Sequence, residues 1–281
     1  MINGWNMKRH FTAILILMFL TVILSCGVED ETDSDNENGS DTDNGEKTDD
    51  PEEIVVFPDP GLEKCVRDEI HQDSGDLLYK DVSMQLFLDC VGKGVENLDG
   101  IEKMVSLKYV ELGNNKIKDV TPLGKCVNLR DINLSKNEIE DASALENLVN
   151  ITRLNISYNS ISDISYVKDM VNLNSLYTGG NPISDISPVA NLASLTALNF
   201  GNSNVSEIKD VAKLINLNVL GIKNNKIKDI SSIKLLKNLV TIDVRENCIT
   251  DFSPIDYLKE NGSLTSVQGD SVSDQDYDRC K

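Results

Sequence analysis

The sequence predicts an α/β solenoid. We expect a right-handed arc with a parallel sheet on its concave side, short helical or 3₁₀ turns on its convex side, and a helical cap at its N-terminal end. Three observations carry this reading. Leu107, Leu129, Ile151, Leu173, Leu195, Leu217 and Leu239 stand at a constant interval of 22 residues. Within that interval apolar residues recur at fixed positions, and the segment before the repeats is almost wholly polar and acidic, so the periodic part stands apart.

Each repeat follows the form LxxLxLxxNxIxDIxxLxxLxx, seen clearly from Leu217 to Ile230. Taking positions 1, 4, 6, 11, 14, 17 and 20 as inward gives 49 sites in seven repeats, and 48 are apolar, with Thr178 the exception. Composition alone would fill about 20 of them, so the pattern is not accidental. Positions 3 to 7 alternate and predict a short strand that pairs in parallel with its neighbours. Asn115, Asn137, Asn159, Asn181, Asn225 and Asn247 follow, where a short amide bonds the turning backbone. Asp119, Asp141, Asp163, Asp185, Asp229 and Asp251 recur at position 13, which indicates a role in every turn rather than an active site. Thr121-Pro122, Ser187-Pro188 and Ser253-Pro254 each offer a helix N-cap followed by Pro at the first helical position. Inward residues three apart suit a 3₁₀-like return leg.

One repeat cannot bury its own apolar face, so stacking must stabilise it and the ends need covers. Residues 85–106 keep the register but carry Lys93 where Asn is expected. Residues 54–84 are the expected cap, with an amphipathic helix bearing Leu62, Cys65, Val66 and Ile70. The repeats run over 85–258, and 259–281 form a C-terminal cap and tail in which three extra residues precede Leu264 and Val267.

The formal charge of −19 disfavours nucleic acid as a partner. Lys8 and Arg9, then a largely apolar run from Phe11 to Leu24, outline a signal peptide over 1–25 that is too short to be read first as a membrane span. Ile23-Leu24-Ser25-Cys26 resembles the bacterial lipobox, which implies cleavage before Cys26, lipidation of its sulfur and an envelope location. Gly27 lacks the Asp that marks inner-membrane retention in similar sequences, so the outer membrane is favoured. Residues 26–53 read as the lipidated Cys and a disordered tether, with 13 acidic residues against Lys47 from Gly27 onward. Fully extended, that tether reaches about 90 Å.

The repeat is identified as a leucine-rich repeat, and its length and Asp-Ile-Ser-Pro segments resemble the internalin-like class of bacterial surface proteins. The resemblance implies a non-enzymatic protein-binding module that works through its concave face, with an unknown protein partner, no cofactor, and a monomeric state. The rival expectation is a structural or assembly role in the envelope without a concave-face ligand. An enzyme is disfavoured independently: no GxSxG, HExxH or phosphate-loop motif occurs, and His71 is the only histidine after the signal. No Cys/His cluster has metal-site spacing.

Cys126 occupies inward position 20 and is expected as a buried small hydrophobe. Cys90, inward and beneath the cap helix, is a candidate partner for Cys65, and Cys248 for Cys280. On the outward concave positions 3, 5, 7 and 8, the candidate ligand-binding residues are Tyr109, Asp131, Arg153, Asn155, Tyr158, Ser175, Tyr177, Asn199, Gly221, Lys223, Asp243 and Arg245. The four positions balance Glu111, Asp131, Asp243 and Glu246 against Lys136, Arg153, Lys223 and Arg245. The middle is small-sided, with Ser175, Gly179, Gly180, Ala197, Gly201 and Gly221 around Tyr158 and Tyr177. A sheet of this many strands spans roughly 35 Å, enough for a protein-sized footprint.

Overall fold

The computed structural model describes residues 50–276. The expected signal peptide, Cys26 and most of the tether lie outside them, as does Cys280. Nine three-residue strands form one parallel sheet in sequential order. They are β1 (Phe87–Asp89), β2 (Tyr109–Glu111), β3 (Asp131–Asn133), β4 (Arg153–Asn155), β5 (Ser175–Tyr177), β6 (Ala197–Asn199), β7 (Val219–Gly221), β8 (Thr241–Asp243) and β9 (Ser266–Gln268). The register advances by one 22-residue repeat at each step, as in Tyr109↔Asp131. The last step is longer, Thr241↔Ser266, because α3 (Ser253–Asn261) replaces the usual 3₁₀ turn and takes up the three extra residues. The strands are shorter than the predicted five positions, since the chain turns after position 5.

Of the 49 inward sites all but Phe252 are buried, in one continuous core. Thr178 is among the buried ones, and its hydroxyl donates to the Asn199 carbonyl at 3.4 Å. Such a core forms only if every repeat stacks on the next, which is why the period had to be kept without insertion.

The position-9 asparagines build a ladder that the sequence pattern foreshadowed. Asn137 Nδ2 donates to Leu134 O at 2.9 Å in its own repeat and to Leu112 O at 3.0 Å in the preceding one, and its Oδ1 accepts from Ile117 N at 3.0 Å. Asn115, Asn159, Asn181, Asn225 and Asn247 repeat the arrangement. The ladder misses one rung: Ser203 stands at this position, and its buried Oγ has no partner among the described residues. At the C-terminal end Gln275 supplies a further rung, its Oε1 accepting from Ile249 N at 3.4 Å and its Nε2 donating to Val244 O at 3.4 Å.

Capping differs from expectation. The hydroxyls of Thr121, Ser187 and Ser253 do not cap the turns. The position-13 aspartate does that work from two residues upstream, as where Asp185 Oδ1 accepts from Ser187 N at 2.8 Å and Asp251 Oδ1 from Ser253 N at 2.9 Å. A carboxylate two residues before the turn reaches the first free N–H better than a hydroxyl on the turn itself.

At the N-terminal end α1 (Pro60–Ile70) buries Leu62, Cys65 and Val66 against the first coil, followed by α2 (Tyr79–Val82). Asp59 is its N-cap, accepting from Leu62 N at 2.9 Å, and its other oxygen accepts from Glu96 N at 2.8 Å and Asn97 N at 3.1 Å. One buried carboxylate thus joins helix to repeat. Cys65 and Cys90 form a disulfide with Cα atoms 5.6 Å apart, the expected staple. Three acidic residues assigned by composition to the tether fall among the described ones: Asp50 accepts from Glu52 N at 2.9 Å, Glu52 pairs with Lys80, and Glu53 with Lys103 at 2.8 Å.

Candidate functional site

The concave face is built by positions 3 and 5 of each strand and positions 7 and 8 of the loop that follows. Position 8 adopts a left-handed backbone throughout: Asn114, Lys136, Tyr158, Gly180, Asn202, Asn224 and Glu246 have φ between 56° and 75°. Its N–H reaches across to the position-7 carbonyl of the next repeat, as where Tyr158 N donates to Gly179 O at 2.8 Å. The conformation is therefore a demand of the ladder, made even of Tyr158, for which it is unfavourable.

That conformation lifts Tyr158 out of the sheet, 55% exposed, with its ring against the Gly180 backbone. A Cβ at Gly180 would lie 2.6 Å from Tyr158 Cδ1, so the small residue is required by the ring. Gly221 is small for a similar reason: its Cβ would meet Asn199 Nδ2 at 2.5 Å. The small-sided middle noted in the sequence is thus a bed on which neighbouring side chains lie.

Between them these residues shape a shallow concavity of about 300 Å³ reaching from Ser135 to Asp243. Of the sequence-predicted residues it brings together Asn155, Tyr158, Tyr177, Asn199, Gly221, Lys223 and Asp243. Tyr109, Asp131, Arg153, Ser175 and Arg245 do not line it. Gly179 and Gly201 of the small-sided middle line it too, and so do Ser135, Lys136, Ser157 and Asn202, which were not among the candidate binding residues although positions 7 and 8 of the register already pointed to them. Phe87, exposed in β1 and in register with Tyr109, extends the face beyond the regular repeats and was likewise missed.

Several candidate side chains are partly engaged by their own loops. Asn155 Oδ1 accepts from Ser157 N at 3.1 Å, Asn199 Oδ1 from Gly201 N at 3.0 Å, and Asp243 Oδ1 from Arg245 N at 3.2 Å. These bonds fix the side chains before any partner arrives.

The charges are mostly paired in advance. Arg245 binds Asp243 through two bonds of 2.9 and 2.7 Å, Lys223 Nζ lies 3.0 Å from Glu246, and Arg153 lies 3.9 Å from Asp131 and over the Tyr177 ring at 5.9 Å from its centroid. Toward β2, burial pushes the Glu111 carboxyl above the ordinary glutamate range, the Asn133 amide at 2.7 Å pulls it back in part, and the neighbouring Asp131 charge adds to the rise. Burial raises Asp131 as well, with Arg153 offsetting part of it. Among the described residues no group of three or more His, Cys, Asp or Glu is placed to hold a metal ion.

The family described as Leucine Rich repeats (2 copies) matches residues 105–147, 127–169, 149–191 and 215–257. No curated protein matches the chain in sequence. Among solved structures, internalin C2 of Listeria monocytogenes is 31% identical with a TM-score of 0.72, over 76% of this chain and 94% of that one. A leucine-rich repeat protein of Leptospira interrogans is 24% identical with a TM-score of 0.55, over 59% of this chain and 44% of that one. The plant peptide hormone receptor RGFR1 in complex with RGF2 is 20% identical with a TM-score of 0.54, over 62% of this chain and 30% of that one, and shares the fold. Proteins of this fold act typically as non-enzymatic, protein-binding scaffolds. The unbroken 22-residue register, the asparagine ladder and the match to internalin C2 together place this chain in the leucine-rich repeat family, with internalins among its structural neighbours.

Proposed function

We propose that the protein is a lipid-anchored component of a bacterial envelope that holds a protein or peptide partner in the concavity around Tyr158 and Tyr177. One observation carries the binding role. Ten of the thirteen lining residues are Tyr, Ser, Gly or Asn, the composition of a paratope, in which rigid aromatic area is combined with short adaptable polar groups. The side chains are held by bonds to their own loops, so little freedom is lost on association. The neighbour RGFR1, seen in complex with RGF2, is consistent with a peptide ligand. The anchor rests on Cys26 and the apolar run before it, with the outer membrane favoured by Gly27 and a monomer expected.

Residues 48–281 form one compact unit, and this piece is suited to capture from the source envelope. Beside it runs a variant with Tyr177→Ala and Arg153→Glu and an unchanged melting curve. A protein retained by the native face and lost by the variant supports the reading. Equal retention by both, or by neither, favours a structural role in the envelope. Metabolic labelling with a palmitate analogue should mark the full chain and not its Cys26→Ser variant.

A further inference from the structure

A second periodicity runs along the edge where each convex turn re-enters the sheet. Val105, Val127, Val149, Val171 and Ile215 follow the buried position-20 residue, each 39–57% exposed, while Ala193, Lys237 and Lys259 hold the same position in the remaining repeats. Single exposed aliphatics are ordinary, but a file of them along one edge is not.

Four backbone carbonyls along this edge are bonded within the protein. Asn128, Asn172, Asn216 and Asn238 donate to the carbonyls of Val105, Val149, Ala193 and Ile215 at 2.9, 3.1, 2.9 and 3.0 Å. Those four carbonyls need not face water, which lowers the hydrogen-bonding cost of taking this edge out of it.

The charge of the edge is opposite to that of the chain. From Lys103 to Val240, positions 19, 21, 22 and 2 carry Lys103, Lys108, Lys125, Arg130, Lys213 and Lys237 against Asp169, in a protein of formal charge −19. Lys103 and Lys213 are paired with Glu53 and Asp210, which leaves the excess on Lys108, Lys125, Arg130 and Lys237. Lys108, Lys125 and Arg130 lie at the end where four valines follow in succession.

We propose that this edge rests on an anionic lipid bilayer, with the aliphatic file at the acyl boundary and the bases among the headgroup phosphates. No helix among the described residues is long and apolar enough to cross a membrane, so the contact is interfacial. A second copy is a poor occupant, because two copies of this edge would set bases against bases. The strands run from this edge toward positions 5 to 8, so docking here presents the concavity on the side away from the bilayer. The proposal depends neither on a concave-face partner nor on a lipid at Cys26.

The test is co-sedimentation of residues 48–281, which lack the anchor, with vesicles of equal parts phosphatidylcholine and phosphatidylglycerol, and with phosphatidylcholine alone. The protein should pellet with the anionic vesicles only, and less so as salt is raised. Val127→Ser with Val149→Ser and Val171→Ser, and separately Lys125→Glu with Arg130→Glu, should each lower partitioning on the order of tenfold. These side chains are exposed, and equal melting temperatures verify the fold. Absence of pelleting with anionic vesicles, or equal pelleting of the variants, overturns the proposal. So does a dimer in sedimentation equilibrium that the serine variant abolishes, which would make the edge a contact between copies.

Discussion

The Asp59 carboxylate accepts the backbone N–H of Glu96 at 2.8 Å while its other oxygen caps α1, so a single side chain couples the N-terminal helix to the first repeat. Burial alone would raise its pKa, but the N–H groups of Glu96, Leu62, Asn97 and Gly61 outweigh burial and hold it below the ordinary aspartate value. A carboxyl depressed in the folded state adds stability that is present above its unfolded pKa of 3.8 and lost as pH falls through the lower folded value. Asp59→Asn, which points an amide at the same donors, should cost about 1–3 kcal/mol at pH 7 in urea denaturation. The gap from the native chain should close as pH drops below 3.8. A gap that is constant down to acid would show that the charge is not what binds helix to repeat.

The missing rung at Ser203 is a place where the fold can be improved. Ser203→Asn would meet the Ile183 N–H and the Phe200 and Thr178 carbonyls in the way that Asn225 meets Val205 N and the Ile222 and Phe200 carbonyls. A gain of about 0.5–1.5 kcal/mol in unfolding free energy is expected, and a loss of about 1–3 kcal/mol for Asn225→Ser. Denaturant midpoints at constant m-value measure both.

The Cys65–Cys90 disulfide closes a sequence separation of 25 residues, so Cys65→Ser should lower stability by about 2–4 kcal/mol. Cys126 should behave differently. Burial pushes its thiol up to about 12, with the Glu102 charge adding to the rise, so iodoacetamide at pH 8 should leave it unmodified in the native protein and alkylate it in denaturant. Peptide mass spectrometry reads the difference, and native labelling of Cys126 would contradict its burial.

Tyr158 pays for its exposure with a left-handed backbone at φ 58°. Tyr158→Asn should raise stability by about 0.5–1 kcal/mol, since Asn tolerates this region, while weakening partner capture. Thermal melting and the envelope capture assay separate the two effects. A variant that is more stable and binds as before would move the binding site away from this ring.

The core and the order of the sheet were legible because the fold leaves an apolar pattern of period 22 one way to be buried. A lone strand can slip by one residue and turn its other face inward, but a strand whose neighbours all make the same choice cannot. Val110, Ile132 and Leu154 accordingly all point inward and pair in register. The concave candidates were legible as positions, since Tyr177 and Asn199 occupy outward sites of the same strand pattern. Their engagement was not, because the bond from Asn199 to Gly201 N and the packing of Tyr158 on Gly180 depend on side-chain direction.

By itself, then, the sequence determined the repeat, its inward residues, the parallel register and the need for end covers, all of which follow from burying one apolar face many times over. Tertiary structure alone decided that the position-13 aspartates, and not the Thr and Ser hydroxyls after them, cap the turns, that Gln275 continues a ladder of asparagines, how Arg245 and Asp243 neutralise each other, and that the position-21 valines line up as an exposed file. The physical reason is that a residue in a turn has its direction set by neighbouring repeats. Val127 follows buried Cys126 directly, and only the stacked coil shows that its side chain is left in the open.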